Sequence, residues 1–119
     1  VVDWGYRPDD LPVKLFGAWT TLPAGPATLA ARTKALVVPV VARRTDDGRY
    51  TPVMYDPIEV PGASPAALAA ATQQIADALE DMVADAPDQW YTFKPMWPET
   101  EPEAAELERR AMAAGADRA

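Results

Sequence analysis

Arg43 and Arg44 are the side chains of this sequence whose type and position best suit the binding of a ligand. They follow a β-branched run at residues 36–41, and in open α/β sheets ligands gather outside the carboxyl ends of the strands. They also lie near the end of residues 11–45, a stretch that has five basic side chains and no acidic one. Because a guanidinium group can hold a phosphate through two parallel hydrogen bonds, the pair predicts a phosphate-binding site. The alternative is that both charges keep an edge strand from aggregating.

The sequence offers few groups for acid–base or nucleophilic chemistry. It has no histidine and no cysteine, and therefore no imidazole base, no thiolate nucleophile and no disulfide. Ser64 precedes a proline and is typical of a helix N-cap rather than of a nucleophile. Asp77 and Asp81 are one helical turn apart, but without further ligands on that face they indicate a solvated surface rather than a metal site.

The composition is that of a single globular domain. With 119 residues, 49% of them hydrophobic and 24% charged, the chain is long enough to bury a core. No apolar run reaches the roughly 18 residues that span a bilayer, and the first residues lack the features of a signal peptide. A net charge of −7 argues against nucleic acid as a partner, although the basic stretch can still hold a phosphate.

The elements that must position the arginines follow an α/β pattern. Residues 13–16 are a predicted strand, a helix begins near Pro26, and residues 36–41 are a predicted strand buried on both faces, so the order predicts a βαβ unit. An Asp-Gly pair at 47–48 between two β-prone runs predicts an added antiparallel hairpin. Pro52 lacks an N–H group and places the second strand of that hairpin at a sheet edge.

A long C-terminal helix is predicted next, followed by an irregular aromatic segment. The helix begins with Ser64 as its N-cap and ends before Pro87. The aromatic segment, residues 90–97, fits either packing in the core or an edge at a bilayer interface, with Trp90 packed and Trp97 the more exposed. The apolar positions of the helix recur at spacings of three and four, as a packed face requires: Leu68, Thr72, Ile75, Leu79, Met82 and Val83.

The stretch G-P-A-x-L-A-x-R-T-x-A-x-V-V-P-V at residues 25–40 resembles the glycerolipid and lipid A late acyltransferase superfamily. Within it, the sequence is similar to the branch with lauroyl acyltransferases and actinobacterial phosphatidylinositol mannoside acyltransferases. The resemblance covers residues 1–98 and implies the C-terminal half of an acyltransferase domain, part of a larger α/β sheet. Residues 99–119 remain outside it as an acidic tail, helical or disordered. The sequence departs from the family at Leu15, where Phe is usual, and at Lys34, where Gly is usual.

The resemblance implies a membrane-associated enzyme that moves a fatty acyl group from a thioester to a hydroxyl group. The donor would be acyl-coenzyme A or an acyl-carrier protein, with no further cofactor, and the acceptor a glycolipid or lysophospholipid of the phosphatidylinositol mannoside or lipid A type. The family uses a histidine as its base, in a block upstream of the stretch that carries the resemblance. This chain alone is therefore expected to be inactive and to have the upstream half of the same enzyme as a partner, at the cytoplasmic face of the bacterial inner membrane.

The same resemblance adds to the candidate substrate-binding residues. Asp3 would orient a catalytic or acceptor group, and the alternative is an aspartate that caps a turn. Arg7 stands in the same block, Gly17 ends the segment that stands in the place of the family's V-x-x-F-F-G, and Gly25 gives the backbone freedom before the helix. No residue is expected to be catalytic or to bind a metal. The candidate substrate-binding residues are Asp3, Arg7, Gly17, Gly25, Arg43 and Arg44.

A rival hypothesis is a small stand-alone domain that kept the scaffold for binding or for a structural purpose and lost catalysis. It predicts a natural start near Val1, whereas the acyltransferase hypothesis predicts continuous upstream sequence with the histidine motif. The full open reading frame distinguishes the two. The sequence leaves the acyl chain length, the acceptor head group and the oligomeric state open.

Overall fold

The computed structural model describes residues 1–114, which fold into two antiparallel hairpins and three α-helices. The mixed α/β class predicted from the sequence is confirmed. No helix within these residues has the length and apolarity that crossing a membrane requires. In chain order the elements are β1 (Leu11–Leu15), β2 (Ala18–Leu22), α1 (Gly25–Thr33), β3 (Val40–Arg44), β4 (Tyr50–Met54), α2 (Pro65–Asp85), a short 3-10 helix (Pro87–Gln89) and α3 (Glu101–Ala113).

The two hairpins form separate two-stranded sheets. In the first, β1 pairs with β2 so that Val13 lies opposite Thr20, and in the second β3 pairs with β4 so that Ala42 lies opposite Pro52. Of the predicted βαβ unit, the helix is present as α1, although β2, which the sequence analysis did not predict, precedes it, and the two predicted strands overlap β1 and β3. In the described part of the chain these two strands belong to different sheets, and each is hydrogen-bonded to the other strand of its own hairpin.

The turn of the second hairpin has the structure that its Asp-Gly pair predicts. Gly48 has a φ of +83°, a conformation in which a Cβ atom would be strained. The Asp47 carboxylate accepts hydrogen bonds from the Thr45 hydroxyl and, at 3.3 Å, from the Arg49 N–H group. Both bonds favour the charged carboxylate and hold the pKa of Asp47 below its usual value, the Thr45 bond having the larger effect. The hairpin is therefore fixed by its own turn.

Residues 36–41 are not buried on both faces, which corrects the sequence analysis. The strand begins only at Val40, and the side chains of Leu36, Val38 and Val40 are exposed. Double burial needs a layer of helices on each face of a sheet. In residues 1–114 the second hairpin has α2 near one face, and its other face, with Tyr50 and Met54, is uncovered.

The long helix α2 is the element around which the core is built. As predicted, the Ser64 side chain caps it by accepting a hydrogen bond from the Ala67 N–H group at 3.2 Å, and Pro65 occupies the first turn. The buried side chains form three clusters, and α2 contributes to each of them. Ile75 and Ala76 pack with Val13, Leu22 and Ile58; Leu79 and Val83 pack with Leu15 and Met96; Ala71 packs with Ala27, Ala30 and Val60.

Two glutamine side chains pair with main-chain groups at the outer edges of the hairpins. The Gln73 amide accepts a hydrogen bond from the Lys14 N–H group at 2.8 Å and donates one to the Lys14 carbonyl at 2.9 Å. Gln89 does the same with Arg44, at 2.7 and 3.0 Å. A glutamine amide offers one acceptor and two donors, so each side chain takes the place that a neighbouring strand would otherwise fill.

The helix α3 packs on the first hairpin. Leu107 is only 1% exposed and Ala111 is fully buried, two positions to which the sequence analysis gave no packing role. The Arg110 guanidinium donates hydrogen bonds to the carbonyl groups of Pro8 and, at 2.7 Å, of Asp10. The sequence left a helix or a disordered tail open for residues 99–119; residues 101–113 are helical, and residues 115–119 lie outside the described part.

Candidate functional site

A cavity of about 370 Å³ lies between β3, α2 and the N-terminal residues. Its volume is within the range of roughly 300–1,000 Å³ that small-molecule sites occupy. Most of its wall is apolar, because β3 turns Val41 toward α2 and α2 presents one face of its apolar stripe. The apolar lining residues are Val1, Val2, Val38, Pro39, Val40, Val41, Ala42, Ile75, Leu79, Met82, Val83 and Ala86.

Four side chains add polar groups to this apolar wall: Asp3, Arg43, Gln89 and Trp90. The Trp90 indole N–H group donates a hydrogen bond to a carboxylate oxygen of Asp3 at 3.1 Å. The second carboxylate oxygen of Asp3 gives the site a further acceptor. Apolar walls with a few polar groups are the usual composition of a small-molecule site.

Arg43 is held at the cavity by Tyr55 and by the end of α2. Its Nη2 atom donates hydrogen bonds to the Tyr55 hydroxyl at 3.3 Å and to the Met82 carbonyl at 3.4 Å. The Met82 carbonyl lies in the last turn of the helix, where a cation is favourable. Among residues 1–114 no carboxylate forms an ion pair with Arg43. Its charge is therefore available for an anionic ligand.

The Tyr55 hydroxyl links this arginine to Asp85. It donates a hydrogen bond to a carboxylate oxygen of Asp85 at 2.6 Å while accepting the one from Arg43. The bond to Asp85 favours the protonated phenol and is the main reason that the pKa of Tyr55 lies above its usual value; desolvation adds to the rise, and the Arg43 bond opposes it. A protonated Tyr55 keeps Arg43 in place without neutralising its charge.

Only two of the six candidate residues meet at the cavity. Asp3 and Arg43 line it, whereas the exposed Arg44 points to the opposite face of β3, because successive side chains of a strand alternate. Gly17 lies in the exposed turn between β1 and β2, and Gly25 begins α1. Neither glycine lines the cavity, and a Cβ atom on either would contact nothing within 4 Å.

Arg7 also lies away from the cavity. Its main chain bonds to the Thr21 hydroxyl, through the N–H group at 2.9 Å and the carbonyl at 2.8 Å. Its exposed side chain is 3.9 Å from the Asp10 carboxylate. In the described residues Arg7 therefore fixes the N-terminal loop on β2 instead of lining the cavity.

The sequence analysis missed Gln89 and Tyr55. Tyr55 is the last residue of the predicted second strand of the hairpin, so its place beside the strand that carries Arg43 was available from the hairpin register. Gln89 follows the end of α2, where no periodic pattern marks a functional residue, and its pairing with β3 needs the tertiary structure. Within residues 1–114 no group of three or more acidic side chains could hold a metal ion.

The arrangement is suited to holding an elongated apolar group that carries an anionic or hydroxyl-bearing end. The chain brings an apolar cavity, one guanidinium and one carboxylate to the same place. A protein-family model described as bacterial lipid A biosynthesis acyltransferase matches residues 1–99. The match covers more than four fifths of the chain and all the residues that line the cavity. No curated protein matches the sequence.

Proposed function

The chain belongs to the bacterial lipid A biosynthesis acyltransferase family, and we propose that it forms the part of such an enzyme that holds the substrates. The proposed reaction moves a fatty acyl group from a thioester, acyl-coenzyme A or acyl-carrier protein, to a hydroxyl group of a glycolipid or lysophospholipid. Acceptors of the lipid A and phosphatidylinositol mannoside types both fit this chemistry. The proposed setting is the cytoplasmic face of the bacterial inner membrane.

The observation that carries the proposal is the apolar cavity with Arg43 and Asp3 in its wall. Each methylene group that leaves water for an apolar site contributes about 0.8 kcal/mol, so a fatty acyl chain is a favourable occupant. Both donors and phospholipid acceptors carry phosphate, which a guanidinium group binds through charge-assisted hydrogen bonds. In this proposal the acyl chain lies against Leu79 and Val83, and Arg43 holds a phosphate.

Acyl transfer requires a base that takes the proton from the acceptor hydroxyl while its oxygen attacks the thioester carbonyl and the thiol leaves. We assign that base to a histidine in another segment of the enzyme, because this chain has none. Asp3 is then suited to orient the acceptor hydroxyl, since its carboxylate accepts the Trp90 hydrogen bond with one oxygen and has a second one for the substrate. The groups of this chain bind and orient rather than transfer the proton.

The test is binding of a palmitoyl chain that carries a nitroxide quencher. We expect saturable quenching of tryptophan fluorescence, and most of the quenched signal should disappear in the variant Trp90→Phe, because Trp90 lines the cavity. Val41→Phe should fill the cavity and weaken binding by about tenfold or more. Val53→Phe is the matched control, because Val53 is the partner of Val41 in β4 and does not line the cavity.

Two outcomes contradict the proposal. One is quenching that does not saturate with the palmitoyl probe. The other is equal binding by the Val41→Phe and Val53→Phe variants, which would place the acyl chain outside the cavity. Urea unfolding of both variants shows whether either has lost its fold.

A further inference from the structure

Three aromatic side chains are exposed together next to the cavity. Trp4 is 54% exposed, Tyr91 65% and Phe93 95%. They line a shallow groove of about 200 Å³ together with Asp3, Thr92 and Lys94. We call Trp4, Tyr91, Phe93 and Lys94 the aromatic edge. Contiguous large apolar side chains on a protein surface mark sites of interaction, because their exposure to water is unfavourable.

The aromatic edge is held in place by a close approach of two distant segments. Gly5 is buried with a φ of +111°, and a Cβ atom there would lie 3.1 Å from Lys94 Cβ and 3.2 Å from the Pro95 carbonyl oxygen. The next residue, Tyr6, donates its N–H group to the same carbonyl at 2.8 Å. Glycine is therefore needed for the N-terminal segment to lie against residues 93–95. The aromatic side chains are displayed on a defined backbone.

The positive charge of the aromatic edge is the Lys94 ammonium group, which lies over the Trp4 ring. Lys94 Nζ lies 5.0 Å from the centroid of the Trp4 ring, and among residues 1–114 no carboxylate forms an ion pair with it. Trp and Tyr collect at the interface of a bilayer, where the ring lies among the acyl chains and its polar group among the head groups. A lysine beside them can place its ammonium group among the phosphates. The edge thus combines the groups that suit a phospholipid surface.

The edge is also continuous with the cavity. Asp3 lines both the cavity and the groove, and Trp90, which lines the cavity, is followed directly by Tyr91. Trp90 and Trp97 themselves are half-buried, and their indole N–H groups donate to Asp3 and to the Leu15 carbonyl. These two tryptophans are therefore part of the packed interior. The exposed aromatic side chains are instead those of Trp4, Tyr91 and Phe93.

We propose that the aromatic edge docks the protein on a phospholipid surface, with Phe93 and Trp4 in the interface and Lys94 on the head groups. Docking in this way sets the cavity beside the bilayer from which a lipid substrate comes. The inference rests on the proposed function and names the surface through which the protein reaches its lipid. The uncovered face of the second hairpin also exposes Tyr50 and Met54. Tyr50, however, lies in a regular strand opposite Arg44 and not in a groove that adjoins the cavity.

The experiment is flotation of the 119-residue chain with vesicles of phosphatidylcholine and phosphatidylglycerol. We expect Phe93→Ser and Tyr91→Ser each to lower the vesicle-bound fraction, Phe93→Ser by about tenfold, because the exposed ring is the main apolar group to enter the interface. Tyr50→Ser is the matched control, since Tyr50 is 69% exposed on β4. Lys94→Gln should lower binding to vesicles with phosphatidylglycerol more than to pure phosphatidylcholine. Nitroxide-labelled lipids should quench the wild-type chain more than the Trp4→Phe variant.

Three results would overturn the proposal. The first is no flotation of the wild-type chain, and the second is an equal loss in Tyr50→Ser and Phe93→Ser. The third is a concentration-dependent dimer that Phe93→Ser abolishes while the vesicles bind nothing, which would make the edge a protein interface. The palmitoyl quenching experiment at Trp90 uses no vesicles, so failure of docking and failure of the cavity proposal are separate observations.

Discussion

Replacing Gln73 by Leu tests whether a side chain from α2 holds the outer edge of the first hairpin. The substitution keeps a side chain of similar length and removes the two hydrogen bonds, of 2.8 and 2.9 Å, to the main chain of Lys14. It also removes the 2.9 Å bond to Asp77. Leu adds apolar contact at a half-buried position, so the measured loss of stability is a lower bound on the contribution of the polar pairing.

The expected cost follows from the two main-chain groups that lose their partner. A buried donor or acceptor without a partner costs about 1–3 kcal/mol. Lys14 is half-buried and water can replace part of the pairing, so each group should be near the lower end of that range. The two together predict a loss of about 2 kcal/mol in the free energy of unfolding. With an ordinary denaturant slope this lowers the urea midpoint by about 1 M.

The control is Gln74→Leu, the same substitution one residue further along α2. Gln74 is exposed and forms no side-chain hydrogen bond with the described residues, so its replacement should change stability by less than about 0.5 kcal/mol. Amide exchange at Lys14 should accelerate in Gln73→Leu and not in Gln74→Leu. Gln73→Glu adds a second check, because its carboxyl can donate to the Lys14 carbonyl only when protonated, below about pH 4. Equal urea midpoints for the two leucine variants would refute the reasoning.

The other predictions concern the arginine pair, the tail helix, the phenol and catalysis. Arg43→Ala should weaken binding of palmitoyl-coenzyme A by about 1.5–3 kcal/mol, the range of a charge-assisted hydrogen bond, and Arg44→Ala should not; titration calorimetry measures both, and equal losses would contradict the assignment. Leu107→Ala should cost about 2–5 kcal/mol in urea unfolding, whereas Met112→Ala on the exposed side of α3 should cost far less. Because the native pKa of Tyr55 is raised above 10.0, its contribution to stability is complete below pH 10 and is lost as the pH rises through the native pKa. Asp85→Asn should bring that pKa down, which a tyrosinate absorbance titration would show, and an unchanged titration would exclude the Asp85 bond as its cause. The 119-residue chain alone should show no acyl transfer, and turnover above background with any acyl thioester would contradict the assignment of the base to another segment.

The parts of the fold that were predictable are those that depend on a few adjacent residues. The Ser64 cap and the Asp-Gly turn are local arrangements, and each formed as predicted. The burial of residues 36–41 was not predictable in this way, because a β-branched run is compatible with any sheet and the covering layers are set by distant residues. Strand alternation alone predicts that Arg43 and Arg44 lie on opposite faces of β3. Which of the two arginines faces the cavity depends on the position of α2, and this was not predictable from the local sequence. The aromatic edge joins segments almost ninety residues apart, a distance at which no periodic pattern carries information.

The position of α2 connects ligand binding to the folding equilibrium. The helix contributes side chains to all three core clusters, and its Ile75, Leu79 and Val83 also line the cavity. Unfolding of α2 therefore removes the proposed binding site, and an acyl compound that occupies the cavity should bind only the native state. At a ligand concentration one hundred times the dissociation constant, such linkage adds about 2.7 kcal/mol to the free energy of unfolding. The melting temperature of this protein should consequently rise with the concentration of a fitting acyl compound, which gives a measure of substrate preference that needs no catalysis.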